Sequence, residues 1–345
     1  MPINPEAFHM LREIKEQPQT LRDTISSALK QAPPVGEFIE QTKANRGDIF
    51  LIGCGTSLYA SIAGKYAIET FSGIRCTAYP ASEFRDFEIM REGDAVIAVS
   101  QSGETGDVLT AIKQATKKGC KIASITNESE SALAKLSQCS IITKAGKESA
   151  IPMTKTYTAM LAALFSIAIL LGNKEKTVSE LQKIPRIVEE TIKISESRIR
   201  SLSEQLVNAK DIFLLGRGPN YSTAAEASLK LKEASLVHAE GFSSPEFRHG
   251  PKALIGTGTP VIGFTSSDNL DETTMRLMEE LKSAGANAAS IGDTENSTIR
   301  IPTTNYYLTP IPYIVPLQLL AFYLAIQKGI DPDNPRNLTK TTITI

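Results

Sequence analysis

A segment rich in hydroxyl and amide side chains follows an apolar run in the first third of the chain. The run Ala95–Val99 predicts a buried strand, and Ser100–Gly106 then supplies three hydroxyl residues, a glutamine and two glycines ahead of a predicted helix. The start of a helix presents unpaired backbone N–H groups and the positive end of its dipole, so it favours an anion. Hydroxyls at such a junction can also be simple helix caps. Because the segment has no lysine and lacks the Walker spacing, it predicts binding of a small phosphate monoester rather than a nucleoside triphosphate.

A second strand–helix turn, Gly53-Cys54-Gly55, precedes Thr56 and Ser57. A lone G-x-G is usually only a tight turn. Beside the hydroxyl-rich segment in a parallel sheet, however, this turn is expected to form a second wall of the same crevice. The turn lacks the G-x-G-x-x-G pattern, which argues against a dinucleotide cofactor.

The densest group of titratable side chains lies in the second half of the chain. Glu226, Lys230 and Glu233 are spaced i, i+4 and i+7, so they share one face of a predicted helix. Solvated salt-bridge ladders have the same spacing. This helix follows directly from a glycine turn, and His249 comes soon after it in a turn before Gly250 and Pro251. A carboxylate, a lysine and a histidine suffice for aldose–ketose chemistry, in which a base moves a proton between C1 and C2 and an acid opens the ring.

An internal repeat predicts the elements that position both groups. Asp48–Gly55 returns as Asp211–Gly218, and Ala95–Ser100 corresponds to Pro260–Thr265. Each copy has the order strand, turn, helix, strand, helix, strand, so the sequence predicts an α/β fold with two tandem doubly wound parallel sheets of the flavodoxin-like type. The second copy carries Asp268 near the place of the hydroxyl-rich segment, and its carboxylate would repel a phosphate. We therefore expect the first copy to bind the ligand and the second to support it.

Composition shifts divide the chain further. The polar lead-in predicts two helices, separated by Gln17-Pro18-Gln19, of which the second ends near Ala32-Pro33-Pro34. The tail is too rich in proline and aspartate for a helix, so it is either frayed or folded back over a site. The predicted boundaries are 1–46 for the lead-in, 47–172 for the first domain, 173–207 for a helical connector, 208–330 for the second domain and 331–345 for the tail.

The bulk composition excludes several classes of protein. A formal net charge of −1 gives no reason to expect binding to nucleic acid or to an anionic membrane. The four cysteines lack close-paired spacing, so free thiols are expected rather than disulfides or metal ligands, in agreement with a reducing cytoplasm. The longest apolar stretches, 159–171 and 311–326, are too short or carry prolines, so they predict buried helices and no membrane span. No metal and no cofactor is expected.

Five motifs occur in a fixed order along the chain, namely Gly53–Ser57, Ser100–Thr105, Lys230–Glu233, His249–Pro251 and Pro335–Lys340. Together they closely resemble the isomerase half of glucosamine-6-phosphate synthase, which is a tandem of sugar isomerase (SIS) domains. The lead-in Glu13–Pro18 is similar to the segment that precedes those domains in the synthase. The resemblance covers almost the whole chain.

The resemblance implies a role for each matched residue. The sugar phosphate would be held by Cys54, Thr56, Ser57, Ser100, Gln101, Ser102, Thr105 and Ile151. Glu233 would be the base for proton transfer between C1 and C2, with Lys230 nearby. Lys340 would form a Schiff base with the open-chain ketose. His249 would assist ring opening from the neighbouring subunit of a homodimer.

Three departures separate this chain from the synthase. It begins Met1-Pro2, without the N-terminal nucleophilic cysteine of a glutaminase domain, so no glutamine-fed nitrogen supply is expected. Ser149–Met153 stands where the family has small residues. Phe247–Lys252 resembles stand-alone SIS proteins, including archaeal-type glucosamine-6-phosphate deaminases.

We therefore expect a cytoplasmic enzyme that interconverts glucosamine 6-phosphate and fructose 6-phosphate plus ammonia, with deamination as the physiological direction. The alternatives are a synthase isomerase subunit that relies on a separate glutaminase, a deglycase acting on fructosyl-amine phosphates, and a non-catalytic sugar-phosphate sensor. The joint presence of Glu233, His249 and Lys340 argues against the sensor, because a pure binder would not need them.

Overall fold

The computed structural model describes residues 4–340, except for the side chain of Asn269. Its helices and strands are, in chain order, α1 (His9–Ala44), β1 (Ile49–Gly53), α2 (Thr56–Ser72), β2 (Thr77–Pro80), α3 (Ala81–Phe87), β3 (Ala95–Val99), α4 (Gly106–Lys117), β4 (Lys121–Thr126), α5 (Ala132–Leu136), β5 (Cys139–Ile142), α6 (Lys155–Leu171), α7 (Glu175–Leu206), β6 (Asp211–Gly216), α8 (Pro219–Ser235), β7 (His238–Ser243), α9 (Ser244–Phe247), β8 (Pro260–Thr265), α10 (Glu272–Ser283), β9 (Asn287–Gly292), β10 (Ile299–Arg300) and α11 (Pro310–Gln327).

The strands form two five-stranded parallel sheets with the same topology. The first has the order β2-β1-β3-β4-β5, and the second has the order β7-β6-β8-β9-β10. In each sheet the chain adds its second strand on one side of the first and its third strand on the other side. This switch point, between β1 and β3 or between β6 and β8, is where open α/β sheets bind ligands. The predicted fold class, with two tandem doubly wound parallel sheets and a helical N-terminus, is confirmed.

The central strands are apolar along their whole length because helices cover both faces of each sheet. All five residues of β1 and all five of β3 are buried. In the first core, the rings of Phe50 and Phe84 lie 5.1 Å apart between centroids. The corresponding pair in the second core, Phe213 and Phe247, lies at 5.5 Å. These cores hold the strand ends, and the loops that follow them, in fixed positions.

The chain divides into two compact units that are not contiguous in sequence. Of the described residues, 19–148, 155–183 and 339–340 form the first-sheet unit, and 4–18, 149–154 and 184–338 form the second-sheet unit. Asp333 ties the tail into the second-sheet unit, since its carboxylate accepts the backbone N–H groups of His9 and Met10 at 2.8 Å each, at the start of α1. A carboxylate at this position complements the helix dipole.

The lead-in differs from the sequence prediction of two helices broken at Gln17-Pro18-Gln19. It is a single helix that continues through Pro18, Pro33 and Pro34 to Ala44. A proline inside a helix removes one hydrogen bond and costs about 3 kcal/mol. That cost is offset by an apolar stripe buried on both sides of each proline, formed by Met10, Leu11, Ile14, Leu21, Ile25, Ala28, Ala32, Val35 and Ile39.

One segment of the described chain, Tyr306–Gln327, is long and apolar enough to cross a membrane by length and composition alone. In the second-sheet unit, 94% of its most apolar window is buried within the protein. Burial of this extent is typical of a core helix, and α11 packs against α8. The buried helix expected for 311–326 is therefore present.

Candidate functional site

The loop that joins β3 to α4 gathers hydroxyl groups at the start of a helix. We call Ser100–Thr105 the phosphate loop, after the role predicted for it. Ser100 Oγ accepts the backbone N–H of Gly103 at 3.1 Å and lies 3.0 Å from Thr105 Oγ1. Gly103 has φ of +64°, and a Cβ there would approach Ser131 Oγ at 2.2 Å, so the loop requires glycine at this position. The sequence thus folds the loop so that its hydroxyls gather at the start of α4.

Several donors of the phosphate loop remain available. Within residues 4–340, the backbone N–H groups of Ser102, Thr105 and Gly106 have no hydrogen-bond partner, nor does the side-chain amide of Gln101. The two carboxylates close to the loop point to other groups. Glu104 accepts the N–H of Ala132 at 2.7 Å, and Asp107 pairs with Arg85 at 3.0 Å. The N-terminus of α4 can therefore accept an anion there.

The turn after β1 lies beside the phosphate loop, because β1 and β3 are hydrogen-bonded neighbours. Thr56 and Ser57 begin α2, and both are buried. Cys54 is half-buried, and burial first, then the Asp107 carboxylate, raises the pKa of its thiol to about 11. The thiol is therefore neutral at physiological pH, which makes Cys54 a weak hydrogen-bond donor rather than a nucleophile.

Lys340 lies beside a buried carboxylate that sequence reasoning did not single out. Its Nζ is 3.8 Å from Oε2 of Glu148, whose side chain is fully buried while that of Lys340 is 31% exposed. The hydroxyl of Thr156 donates to the same oxygen, Oε2 of Glu148. The backbone N–H of Thr156 donates to the other oxygen, Oε1, at 3.4 Å. Glu148 is a single glutamate in a polar segment and forms no recognisable pattern with its neighbours in sequence. Its pairing with Lys340 is therefore visible only in the folded structure.

The second-sheet unit brings Glu226, Lys230 and Glu233 together on one face of α8, as the spacing predicts. Lys230 Nζ lies 3.4 Å from Glu226 and 2.5 Å from Glu233. The side chains of Lys230 and Glu226 are 1% and 0% exposed, whereas that of Glu233 is 19% exposed. The cluster is therefore not a solvated salt-bridge ladder. A lysine buried between two carboxylates fixes their positions and leaves Glu233 accessible.

His249 lies in an exposed turn after α9. Its ring makes no hydrogen bond or ion pair with residues 4–340, so the structure does not join it to the Lys230 cluster. The turn itself is fixed by Glu280. Its carboxylate accepts both terminal guanidinium nitrogens of Arg248, at 2.7 and 2.9 Å, and Nζ of Lys252 at 3.0 Å. These cations, Arg248 first, hold the pKa of Glu280 at about 2.

Ile151 lies in the segment 149–154, which belongs to the second-sheet unit. Its backbone N–H donates to the carbonyl of Asp333 at 2.9 Å. The N–H groups of Ser149 and Ala150 donate to the carboxylate of Glu13, the latter at 3.2 Å. Ile151 is half-buried, and the segment is held by backbone hydrogen bonds on both sides.

Both sheets, with their helices, match one known domain. A profile of the SIS domain matches residues 43–170 and again residues 205–328. The chain belongs to the SIS domain family. It contains two SIS domains, one built on each sheet.

Curated relatives include glutamine–fructose-6-phosphate aminotransferases. Those of Pyrococcus horikoshii and Thermococcus kodakarensis are each 39% identical to this chain over 96% of its residues. The chain spans 57% of the length of each of these two relatives. The similarity therefore concerns the isomerase half of those proteins.

Two solved structures extend the comparison. The C-terminal domain of glucosamine-fructose-6-phosphate aminotransferase from Francisella tularensis has a TM-score of 0.88 and 30% identity, over 96% of this chain and 100% of that one. The glucosamine-6-phosphate deaminase from Thermotoga maritima has a TM-score of 0.78 and 30% identity, over 93% of this chain and 100% of that one.

The second SIS domain uses its own carboxylates at the place that the phosphate loop has in the first. Asp293, directly after β9, accepts the backbone N–H of Ser267 at 2.7 Å and its hydroxyl at 3.0 Å. In the first SIS domain, the residue directly after β4 is Asn127, whose side-chain oxygen instead accepts the hydroxyl of Thr143 at 2.9 Å. The N–H and hydroxyl of Ser267 are thus already occupied in the second domain. No metal-binding cluster of His, Cys, Asp or Glu occurs among the described residues.

Asp271 is a second carboxylate in this region, and it is fully buried. Tyr306 donates to its Oδ1 at 3.2 Å, and Oδ2 has no hydrogen-bond partner within the described chain. Burial raises the pKa of this carboxyl to about 7, while the Tyr306 hydroxyl and Arg217 act in the opposite direction and Asp268 adds to the increase. A side chain of this kind makes stability depend on pH.

We expect stability to fall as pH rises from about 4 to about 7, because the folded protein retains on Asp271 a proton that the unfolded chain, with a pKa of about 3.9, has released. The variant Asp271→Asn keeps an oxygen for Tyr306 and carries no charge. At pH 8 it should be more stable than the wild type by about 1–4 kcal/mol, and at pH 4 the two should unfold at similar temperatures. Thermal unfolding at both pH values measures this, with Asp23→Asn, at an exposed aspartate of α1, as the control. Equal stabilisation at pH 4 and pH 8 would contradict the prediction.

Proposed function

We propose that this chain interconverts glucosamine 6-phosphate and fructose 6-phosphate plus ammonia. The observation that carries the proposal is the phosphate loop at the switch point of the first SIS domain. The Lys230 cluster of the second SIS domain supports it, because it offers an acid–base pair suited to aldose–ketose chemistry. The relatives are named for activities on fructose 6-phosphate and glucosamine 6-phosphate. Glucosamine 6-phosphate and water give fructose 6-phosphate and ammonia without net oxidation, so the chemistry needs no redox cofactor.

The phosphate loop would hold the phosphate of the sugar with neutral donors. The N–H groups of Ser102, Thr105 and Gly106 would point at the anion at the start of α4. The hydroxyls of Ser100, Ser102 and Thr105 would add further donors, and Thr56, Ser57 and Cys54 would line the turn after β1. Gln101 would donate its side-chain amide to a hydroxyl of the sugar, and Ile151 would contact its carbon skeleton.

Glu233 would move the proton between C1 and C2. In the open-chain amino sugar, its carboxylate removes the proton from C2, and the electron pair moves through C1 to the carbonyl oxygen, which is protonated. Return of the proton to C1 gives the 2-imine of fructose 6-phosphate. Lys230 would keep the Glu233 carboxylate oriented, while Glu226 balances the lysine charge inside the protein.

Lys340 would exchange the nitrogen at C2. The amine of Lys340 attacks the imine carbon, ammonia leaves, and a lysine imine forms. Water then adds to this imine, releasing fructose 6-phosphate and the free lysine. In the reverse direction ammonia attacks the lysine imine, which is a better electrophile than the ketone when it is protonated, and the Lys340 amine leaves. Glu148, 3.8 Å from Nζ, would accept the proton that the ammonium must lose before it attacks.

If Lys340 forms this imine, borohydride should reduce it and attach fructose 6-phosphate covalently to the protein. Mass spectrometry should locate one adduct on Lys340 in the wild type and none in Lys340→Met. Lys147→Met removes an exposed lysine next to Glu148 and serves as the matched control, so it should keep the adduct. An adduct of equal yield in Lys340→Met would remove Lys340 from the mechanism.

The function itself is tested by incubating the purified chain with glucosamine 6-phosphate and measuring ammonia and fructose 6-phosphate. We expect both products in equal amounts, without added cofactor, metal or second protein. A high concentration of ammonium with fructose 6-phosphate should give some glucosamine 6-phosphate, whereas glutamine should not serve as nitrogen donor. Product formation only with glutamine and an added glutaminase would favour a synthase isomerase subunit.

Two further alternatives have distinct outcomes in the same assay. Activity restricted to fructosyl-amine phosphates would favour a deglycase. Tight binding of sugar phosphates without turnover would favour a regulatory sensor. The access of Glu233 to solvent beside a buried lysine favours catalysis over sensing, because a binding protein gains nothing from a reachable base.

The proposal includes a homodimer in the cytoplasm. The exposed ring of His249, which has no partner within residues 4–340, is available to the substrate of a neighbouring subunit, where it would assist ring opening. The four cysteines are all free thiols, which suits a reducing compartment. Mixing His249→Ala protein with Glu233→Gln protein tests whether one site uses residues of both subunits. If it does, the mixed dimer has one site with both His249 and Glu233 intact, and activity is restored.

A further inference from the structure

The first SIS domain has a second concave surface, at the edge of its sheet opposite to the phosphate loop. A cavity of about 680 Å³ opens where β1 and β2 begin, between the C-terminal ends of α1 and α2. We call it the amino-edge pocket, after its position at the amino ends of the strands. Strands of about five residues rise roughly 3.3 Å per residue, so the pocket and the phosphate loop lie roughly 15 Å apart along the sheet. It is therefore a separate site.

The pocket is lined by cations that lack partners. Lys43, Arg46 and Arg75 line it, and none of them makes an ion pair within the described part of the chain. All three are exposed. A fourth cation, Lys65, is bound by Glu69 at 2.6 Å. The three cations without an ion pair can turn towards an anion, and the charged lining as a whole, four cations against Asp48, Glu69 and Glu88, keeps a net positive charge.

The carboxylates of the pocket are already engaged. Glu69 holds Lys65 with one oxygen and accepts the N–H of Cys76 at 3.2 Å with the other. Glu88 accepts the N–H of Ile89 at 3.1 Å, and Asp48 lies 3.8 Å from Arg91. Each carboxylate thus has a partner other than the three cations, and these cations stay available for a ligand.

Helix capping is the simplest other role for cations at this place, since the C-terminus of a helix attracts positive charge. Backbone N–H groups already bind carbonyl groups in the last turns of α1 and α2. Gly47 donates to Thr42 at the end of α1, and Gly73 donates to Glu69 at the end of α2. Arg75 belongs to neither helix. Helix capping therefore does not account for the three cations.

Arg46 also occupies a costly backbone conformation. Its φ is +59°, in the left-handed region that glycine and asparagine adopt most readily. A side chain kept at such a position is a reason to look for a function. Here the side chain contributes one of the three cations of the amino-edge pocket.

We propose that the amino-edge pocket binds a small-molecule polyanion, with at least two phosphate or carboxylate groups, at a site separate from that of the sugar phosphate. The volume lies within the range of about 300–1,000 Å³ that is typical of small-molecule sites. Lys43, Arg46 and Arg75 bind the charged groups, and the ring of Tyr79 lines the wall against which the carbon part of the ligand lies.

Calorimetric titration with pyrophosphate, and in parallel with citrate, tests the proposal on the full chain at low ionic strength. The variant Ser102→Asp blocks the phosphate loop, so binding that persists in it comes from elsewhere. Arg46→Gly removes one cation while relieving the backbone, so it should fold at least as well as the wild type. Arg75→Ala removes a second cation, and Lys117→Ala, at an exposed lysine without an ion pair on α4, is the matched control.

We expect one of the two polyanions to bind Ser102→Asp as tightly as it binds the wild type. Arg46→Gly and Arg75→Ala should each weaken that binding at least tenfold, and Lys117→Ala should leave it unchanged. The preferred ion identifies whether phosphate or carboxylate groups are recognised. Binding that disappears in Ser102→Asp, binding that survives both arginine variants, or no binding of either ion would overturn the proposal.

Discussion

Replacing Glu233 with glutamine should lower the rate of ammonia release from glucosamine 6-phosphate by about 10²–10⁴-fold, the usual contribution of a general base. The amide keeps the shape of the side chain and can still contact Lys230, but it cannot take up the proton from C2. Glu226 remains as the counter-ion of Lys230, at 3.4 Å, so the variant leaves no unpaired buried charge and should fold. Sugar-phosphate binding should be almost unchanged, because the donors of the phosphate loop are intact.

Steady-state kinetics and calorimetry on the same preparation separate these two effects. Glu204→Gln, at an exposed glutamate of α7 without an ion pair in the described chain, is the matched control and should keep full activity. A Glu233→Gln enzyme with normal turnover would show that another group is the base. A variant that no longer binds fructose 6-phosphate would instead indicate a role in binding.

Replacing Ser102 with aspartate should weaken binding of fructose 6-phosphate by about 10²–10³-fold. Two like charges about 4 Å apart repel by about 4 kcal/mol at the effective dielectric of a protein surface, and each 1.4 kcal/mol is a tenfold change. Ser102→Ala removes only a hydroxyl donor and should weaken binding far less. Asp268→Ser changes the corresponding region of the second SIS domain, and it should leave the affinity nearly unchanged.

Calorimetric titration of the three variants with fructose 6-phosphate measures the asymmetry between the two SIS domains. Equal losses of affinity in Ser102→Asp and Asp268→Ser would contradict this asymmetry. If Ser102→Asp loses thermal stability as well as binding, the loop is misfolded. Ser102→Ala separates misfolding from charge repulsion, because it changes the same side chain without introducing a charge.

The repeat in the sequence was sufficient to predict the two sheets, because strand patterns and glycine turns are local signals. The alignment of Glu226, Lys230 and Glu233 on one helix face was predictable for the same reason. The burial of Lys230 was not, because it depends on how α8 packs against its neighbours. The prolines of α1 illustrate the opposite case, in which a strong local signal for a break is overridden by apolar burial along the entire helix.

Contacts between residues that are distant in sequence account for what the sequence did not predict. Glu148 meets Lys340 across 192 positions only because residues 339 and 340 belong to the first-sheet unit. The pairing of Asp293 with Ser267 similarly requires β8 and β9 to end side by side. Neither pairing leaves a spacing or composition signal that could be found without the fold.

The carboxylate of Asp293 has a consequence for how a duplicated domain diverges. By occupying the N–H and hydroxyl of Ser267, it takes the position that an anion would have there, so we expect this copy not to bind the phosphate although its sheet keeps the same strand order. In the other copy, Asn127 stands at the equivalent strand end, and the two side chains differ by one oxygen against one nitrogen. A duplicated domain can therefore keep its fold while the polar groups at its strand ends change. Two matches to the same domain family thus count two scaffolds, and we expect the charge at these strand ends to help determine how many of them bind.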